Sequence, residues 1–121
     1  MFFLFIFLWS ITLFLNLLII VLGGLIAFKT PKINSIYGYR TRRSMSDETS
    51  WNLANKLAGR IMFITGIVGV VSVLIIAPLV YALAGYNNWL TTIYPVVGII
   101  LTIISFIIPI IVVEKRLGTL K

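Results

Sequence analysis

FFLFIFLWSITLFLNLLIIVLGGLIAF, residues 2–28, contains no charged side chain. A hydrocarbon core of about 30 Å is crossed by roughly 20 apolar residues of helix, so this stretch fixes the environment of the whole chain. Two further segments of the same kind run from about Ile61 to Ala84 and from about Leu90 to Val113. The composition agrees: 60% of the 121 residues are hydrophobic and only 11% are charged, against about one-quarter charged in an ordinary soluble domain. Mean hydropathy is +1.12. The expectation is an all-α membrane protein forming one domain over residues 1–121, with spans at about 2–28, 61–84 and 90–113 and a motif loop over 29–60. The first span has no basic leader beyond the terminal amine, is too long and lacks a small-x-small cleavage site, so it reads as an anchor and not as a signal peptide.

The basic residues supply an orientation. Lys29, Lys32, Arg40, Arg42, Arg43, Lys56 and Arg60 lie between spans one and two, and Lys115, Arg116 and Lys121 follow span three. The short turn Gly85-Tyr86-Asn87-Asn88-Trp89 has none. The positive-inside rule therefore predicts a cytoplasmic loop and C-terminus, with the N-terminus and short turn outside. Tyr86, Trp89 and Tyr94 fit an aromatic belt at the outer boundary, and Trp9 belongs either to that belt or to packing.

Small and polar residues recur at helical spacing inside the spans. Thr91, Pro95, Gly98, Thr102, Ser105 and Pro109 share one stripe of span three. Thr65, Gly69 and Ser72 repeat the rhythm in span two, and Thr12, Asn16, Gly23 and Ala27 come close to it in span one. Small residues let helices approach, so a three-helix bundle or a homo-oligomer is expected on these faces, with Asn16, Gly69, Gly98, Thr102 and Ser105 as packing residues. Asn16 reads as interhelical glue ahead of a ligand contact. Pro78 and Pro109 lie toward span ends, where proline is tolerated more often than it marks a functional kink.

The chain has no cysteine and no histidine, which removes disulfides, thiolate nucleophiles, imidazole bases and the usual zinc and haem ligands. The acids are Asp47, Glu48 and Glu114, from which no paired-carboxylate site can be read. No enzyme, cofactor or metal is expected. The net charge of +7 alternates with lipid-embedded spans, so it points to an anionic membrane surface and not to direct nucleic-acid binding. Lys29, Lys32, Arg42, Arg43, Lys56 and Arg60 are the residues expected at that surface.

The polar block YGYRTRRSMSDETSWNLANKLAG, residues 37–59, is the one long polar stretch. Pro31 stops the first helix, and Gly38 suits a turn or a close backbone approach. Tyr37 and Tyr39 serve either interfacial anchoring or recognition. The Arg40 guanidinium fork suits loop carbonyls or a partner carboxylate. Asp47 is a helix cap with Glu48 at the positive helix end, and Ser44 is a competing cap. Beyond it Trp51, Ala54, Asn55 and Ala58 line one face of a short amphipathic helix, which is expected to lie on the inner leaflet or against the bundle and to turn at Gly59 into span two.

Gly38, Tyr39, Arg40, Thr41, Ser44, Met45, Trp51, Ala54, Asn55 and Gly59 together resemble the signature of the SdpI family. The resemblance covers roughly residues 31–60. It implies a bacterial cytoplasmic-membrane immunity protein, non-catalytic, that protects the producer from a secreted membrane-active peptide toxin. It also implies signalling through a DNA-binding repressor held at the membrane, and it makes those ten residues candidates for contact with toxin or partner. Longer members carry further membrane helices before this module, so the chain resembles a minimal three-span form. The readings in competition are therefore toxin immunity, a membrane scaffold recruiting a cytosolic regulator, and an accessory transporter or channel subunit. The absence of charge inside any span weakens the last.

Overall fold

The break after residue 28 and the Asp47 cap divide the chain as the hydropathy does. In a computed structural model, which describes residues 2–85 and 88–120 with Leu90 by its backbone alone, the helices are α1 (Phe2–Phe28), α2 (Glu48–Ala84) and α3 (Leu90–Gly118). All three are long and apolar enough to cross a membrane. Tyr86 of the expected aromatic belt and the basic Lys121 lie outside the described residues.

α1 ends where its sequence runs out of donors. The Lys29 N–H reaches the Leu25 carbonyl at 3.0 Å, the Thr30 hydroxyl donates to the Ile26 carbonyl at 2.8 Å, and Pro31 has no N–H with which to continue. α2 starts at Asp47, whose extended backbone and Oδ1, accepting the Ser50 N–H at 2.7 Å, form a side-chain cap. Ser44, the competing cap, is occupied elsewhere: its hydroxyl closes the turn at Thr41.

The expected separate amphipathic helix turning at Gly59 is corrected by the structure. Residues 48–84 form one unbroken helix, and the Trp51 face is its first turns, folded against the bundle. Gly59 does not bend the chain; it is the point of closest approach to α1. A Cβ on Gly59 would stand 2.5 Å from the Gly23 carbonyl oxygen and 2.6 Å from the Ala27 nitrogen. Gly23 answers in kind, since a Cβ there would meet the Gly59 carbonyl oxygen at 2.8 Å.

From this contact α1 and α2 run antiparallel. The buried positions Gly59, Gly66, Val73 and Val80 recur every seven residues, which keeps one seam of α2 on α1. At its far end Phe5, Trp9, Val73 and Val80 form a small apolar cluster, so Trp9 packs and does not join the belt. Tyr94 and Trp89 are exposed, as belt residues would be. Pro78 and Pro109 both sit inside continuous helices.

α3 places the predicted stripe inward: Thr91, Pro95, Thr102 and Pro109 are buried, and Gly98 and Ser105 half-buried. Asn16 ties the bundle. Its Nδ2 donates to the Thr12 carbonyl at 2.8 Å and to Thr102 Oγ1 at 3.1 Å, joining α1 to α3, while its side chain lies against Gly69 of α2. Leu, Ile, Val and Phe side chains cover the outward faces of all three helices, as lipid-facing surfaces require.

Gly59→Ala will separate α1 from α2, because the atoms in its way are backbone; a loss of about 1–3 kcal/mol is expected from overpacking. Gly24→Ala meets only the Phe63 and Phe28 rings at ordinary contact distances, 3.4 Å and 3.8 Å, and will hold or gain up to about 1 kcal/mol through helix propensity. Thermal melting of both variants in detergent distinguishes them; equal losses would contradict the close approach at Gly59.

Candidate functional site

At the loop end of the bundle, residues 29–47 fold into a cap over α2 and α3. Its centre is Asn55, fully buried one helical turn after Trp51. Asn55 Oδ1 accepts the Tyr39 N–H at 2.7 Å, and Nδ2 donates to the Trp51 carbonyl at 2.9 Å and to the Tyr39 carbonyl at 3.3 Å. One side chain therefore satisfies both backbone groups of Tyr39. Gly38 makes that approach feasible: its φ is +114°, and a Cβ would stand 2.7 Å from Asn55 Oδ1 and 3.2 Å from the Trp51 ring.

Trp51 is fully buried and its indole N–H donates to the Pro31 carbonyl at 2.7 Å, tying the start of the loop to α2. Ser44, also fully buried, donates toward the Tyr39 and Thr41 carbonyls and accepts the Thr41 N–H at 2.8 Å. Ala54 and Ala58 pack with Ile26, Val113 and Leu117, and Tyr37 and Tyr39 cover that cluster. The cap is thus seated on all three helices.

Glu114 fastens it to α3. The Tyr39 hydroxyl donates to Glu114 Oε1 at 2.8 Å, and Arg43 Nη1 donates to the Glu114 carbonyl at 3.3 Å. Burial, and after it the Glu114 carboxylate, push the Tyr39 phenol well above its ordinary 10.0. The phenol therefore stays a proton donor across the physiological range.

The ten motif residues divide into two groups. Gly38, Tyr39, Thr41, Ser44, Trp51, Ala54, Asn55 and Gly59 are brought together by internal contacts of the cap and the α1–α2 seam. Arg40 and Met45 are exposed; Arg40 Nη1 also donates to the Ser35 carbonyl, so its fork serves a loop carbonyl. The expected surface cations Lys29, Lys32, Arg42, Arg43, Lys56 and Arg60 are all exposed.

The packing residues Asn16, Gly69, Gly98, Thr102 and Ser105 meet elsewhere, along a groove of about 610 Å³ between α2 and α3 with α1 as its floor. Thr65 and Ser72 stand on its α2 wall, so their stripe faces this opening and the closed seam belongs to Gly66 and its neighbours at seven-residue spacing. Sequence reasoning missed Gly66 and passed over Glu114. The signal for Glu114 was available: it is the one acid at the basic end of span three.

Three helices of membrane-crossing length under a polar cap define a small helical protein of membrane type. Residues 30–113 match the SdpI/YfhL protein family, the chain is 39% identical over 101 residues to the protein from Bacillus subtilis (strain 168) named "Uncharacterized protein YfhL", and it belongs to that family. The alignment covers 83% of this chain and 79% of the relative. No solved structure matches.

Asn55→Leu will leave the Tyr39 N–H unpaired, its carbonyl keeping the Ser44 hydroxyl, and cost about 1–3 kcal/mol, measured as thermal stability in detergent. A melting temperature equal to wild type would contradict the clasp. Tyr39 makes a second, pH-dependent prediction. Its folded pKa is raised, so its contribution is complete below the unfolded value of 10.0 and falls as pH climbs toward the folded one. The stability gap between wild type and Tyr39→Phe will be constant up to about pH 9 and shrink above about pH 10. A gap that widens there would contradict the assignment.

Proposed function

We propose that this chain is a non-catalytic immunity protein of a bacterial cytoplasmic membrane, protecting its host from a membrane-active peptide toxin. Membership of the SdpI/YfhL family supports the class. The observation that carries the reading is the use to which the polar residues are put. The cap hydroxyls and amides are bonded to its own backbone and the Tyr39 phenol to Glu114 of α3, which suits a rigid binding protein.

The loop and C-terminus face the cytoplasm in this reading, because all ten basic residues lie on that side or in its helix ends. Exposed Lys29, Lys32, Arg42, Arg43, Lys56 and Arg60 meet anionic lipid headgroups, at about 1 kcal/mol for each residue near the surface.

A second reading, a scaffold that recruits a cytosolic transcriptional regulator, is favoured by one observation: the motif residues Arg40 and Met45, with Arg42 beside them, are exposed on the cap. Arginine is common at binding hot spots.

Expression in a sensitive bacterium challenged with a panel of secreted membrane-active peptides tests the first reading. Wild type is expected to raise survival, and Arg40→Ala is expected to keep that protection while reducing any regulator-dependent reporter output. No protection from wild type at full membrane abundance would sink the immunity reading. Protection lost in Arg40→Ala at equal abundance would move toxin contact to the cap.

A further inference from the structure

A loop that closes the polar end of a bundle has every reason to show water its polar side chains. The turn around Asn34 shows isoleucine instead. Ile36 is 85% exposed, as fully as Phe3 on α1, and Ile33 is 40% exposed. The turn that presents them is firmly bonded. Asn34 Oδ1 accepts the Ile36 and Tyr37 N–H groups at 2.9 Å and 2.7 Å, and Asn34 Nδ2 donates to the Lys32 carbonyl at 2.8 Å. Between the two isoleucines the Ser35 carbonyl accepts from Arg40. The backbone is thus held in a shape that keeps both large apolar side chains outside.

Place and charge together say what covers them. The Thr30 hydroxyl donates to the Ile26 carbonyl, and Tyr37 packs on the cluster to which Ile26 belongs, so both ends of the turn are fastened beside the end of α1. Phe28, exposed at that end, carries the lipid-facing surface of α1 up to the first loop residue. Lys29, Lys32, Arg40, Arg42 and Arg43 are the charged residues between 29 and 46, and no acid is among them. Lys29 and Lys32 are exposed just ahead of the turn. Apolar side chains with cations beside them match an anionic leaflet, in which phosphates overlie acyl carbons.

We infer that the turn at residues 33–36 is an interfacial anchor: Ile33 and Ile36 enter the headgroup–acyl boundary of the leaflet at the loop end of α1, while Lys29 and Lys32 hold its anionic headgroups. The inference rests on the reading that these cations face lipid, and it is independent of immunity. The cap is then fixed to the bilayer as well as to the helices, and Arg40, bonded to the same turn, is kept at the membrane surface.

The chain has no cysteine, so a fluorophore on Ser35→Cys, exposed between the two isoleucines, reports depth with both in place. Leu25→Cys on the exposed face of α1 gives the lipid reference, and Thr49→Cys at the exposed start of α2 gives the water reference. The membranes are nanodiscs of phosphatidylcholine and phosphatidylglycerol, and the quencher is phosphatidylcholine with a nitroxide high on its acyl chain. Quenching of the residue-35 label close to the residue-25 level is expected. Ile33→Ser combined with Ile36→Ser is expected to lower it to the residue-49 level, and since both side chains are exposed the fold is kept.

A residue-35 label quenched no more than the residue-49 label would overturn the anchor and assign the isoleucines to a soluble partner or a second copy. Undiminished quenching in the double-serine variant would overturn it too, because the loop would then lie in lipid without them. The cations are read separately. Phosphatidylglycerol bearing the nitroxide is expected to quench more than phosphatidylcholine bearing it, an excess lost in Lys29→Gln combined with Lys32→Gln. Equal quenching by the two lipids would overturn the headgroup contact, whereas quenching that still depends on both isoleucines upholds their insertion.

Discussion

The structure depends on one side chain meeting the backbone of one loop residue. A polar loop at the end of an apolar bundle has to satisfy its own backbone wherever it is pressed out of water, because an unpaired buried amide costs about 1–3 kcal/mol. Asn55 does this for Tyr39 in both directions, from a position that α2 holds rigidly. Gly38 must then lie flat over Trp51, Trp51 must reach back to Pro31, and Ser44 must close the turn that follows. Tyr39, so positioned, finds Glu114 on α3. The cap is in this sense a single network, in which the spacing of the motif follows from helix geometry and from one left-handed glycine.

A second constraint acts along the helices. Gly59 and Gly23 bring the backbones of α1 and α2 into direct contact, and the seam continues at seven-residue intervals through Gly66. α3 is held differently, by the cap at one end and by Asn16 and Thr102 in the middle. The tight pair and the tethered third helix together leave the groove. Its existence follows from where the small residues are placed: α2 presents Gly59 and Gly66 to α1, but Thr65, Gly69 and Ser72 to the opening.

Much of this was legible in the sequence. Charge-free residues 2–28 announce α1, Asp47 announces the start of α2, and the stripe from Thr91 to Pro109 is the inward face of α3. The role of the motif residues was less legible. Exposed recognition and internal bonding call for the same residue types, Tyr, Trp, Asn and Ser, and only the partner atoms distinguish them. Asn55 and Trp51 acquire theirs from Tyr39 and Pro31, across a loop whose path no periodicity describes. Gly59 misled for a related reason: a glycine after an amphipathic stretch reads as a bend, yet in a bundle its missing side chain also permits contact. Glu114 takes its role from Tyr39 and Arg43, which the path of the loop brings to it.

The signature residues other than Arg40 and Met45 build a closed cap and have their polar groups occupied internally. Amide hydrogen exchange of residues 37–45 in lipid nanodiscs tests it most directly, since exchange reports local opening free energy. The Tyr39 and Thr41 amides, bound to Asn55 and Ser44, are expected to be protected comparably to the core of α2. Exchange of those amides at the rate of a free loop, with α2 still protected, would contradict it and return the motif to the surface as a recognition element.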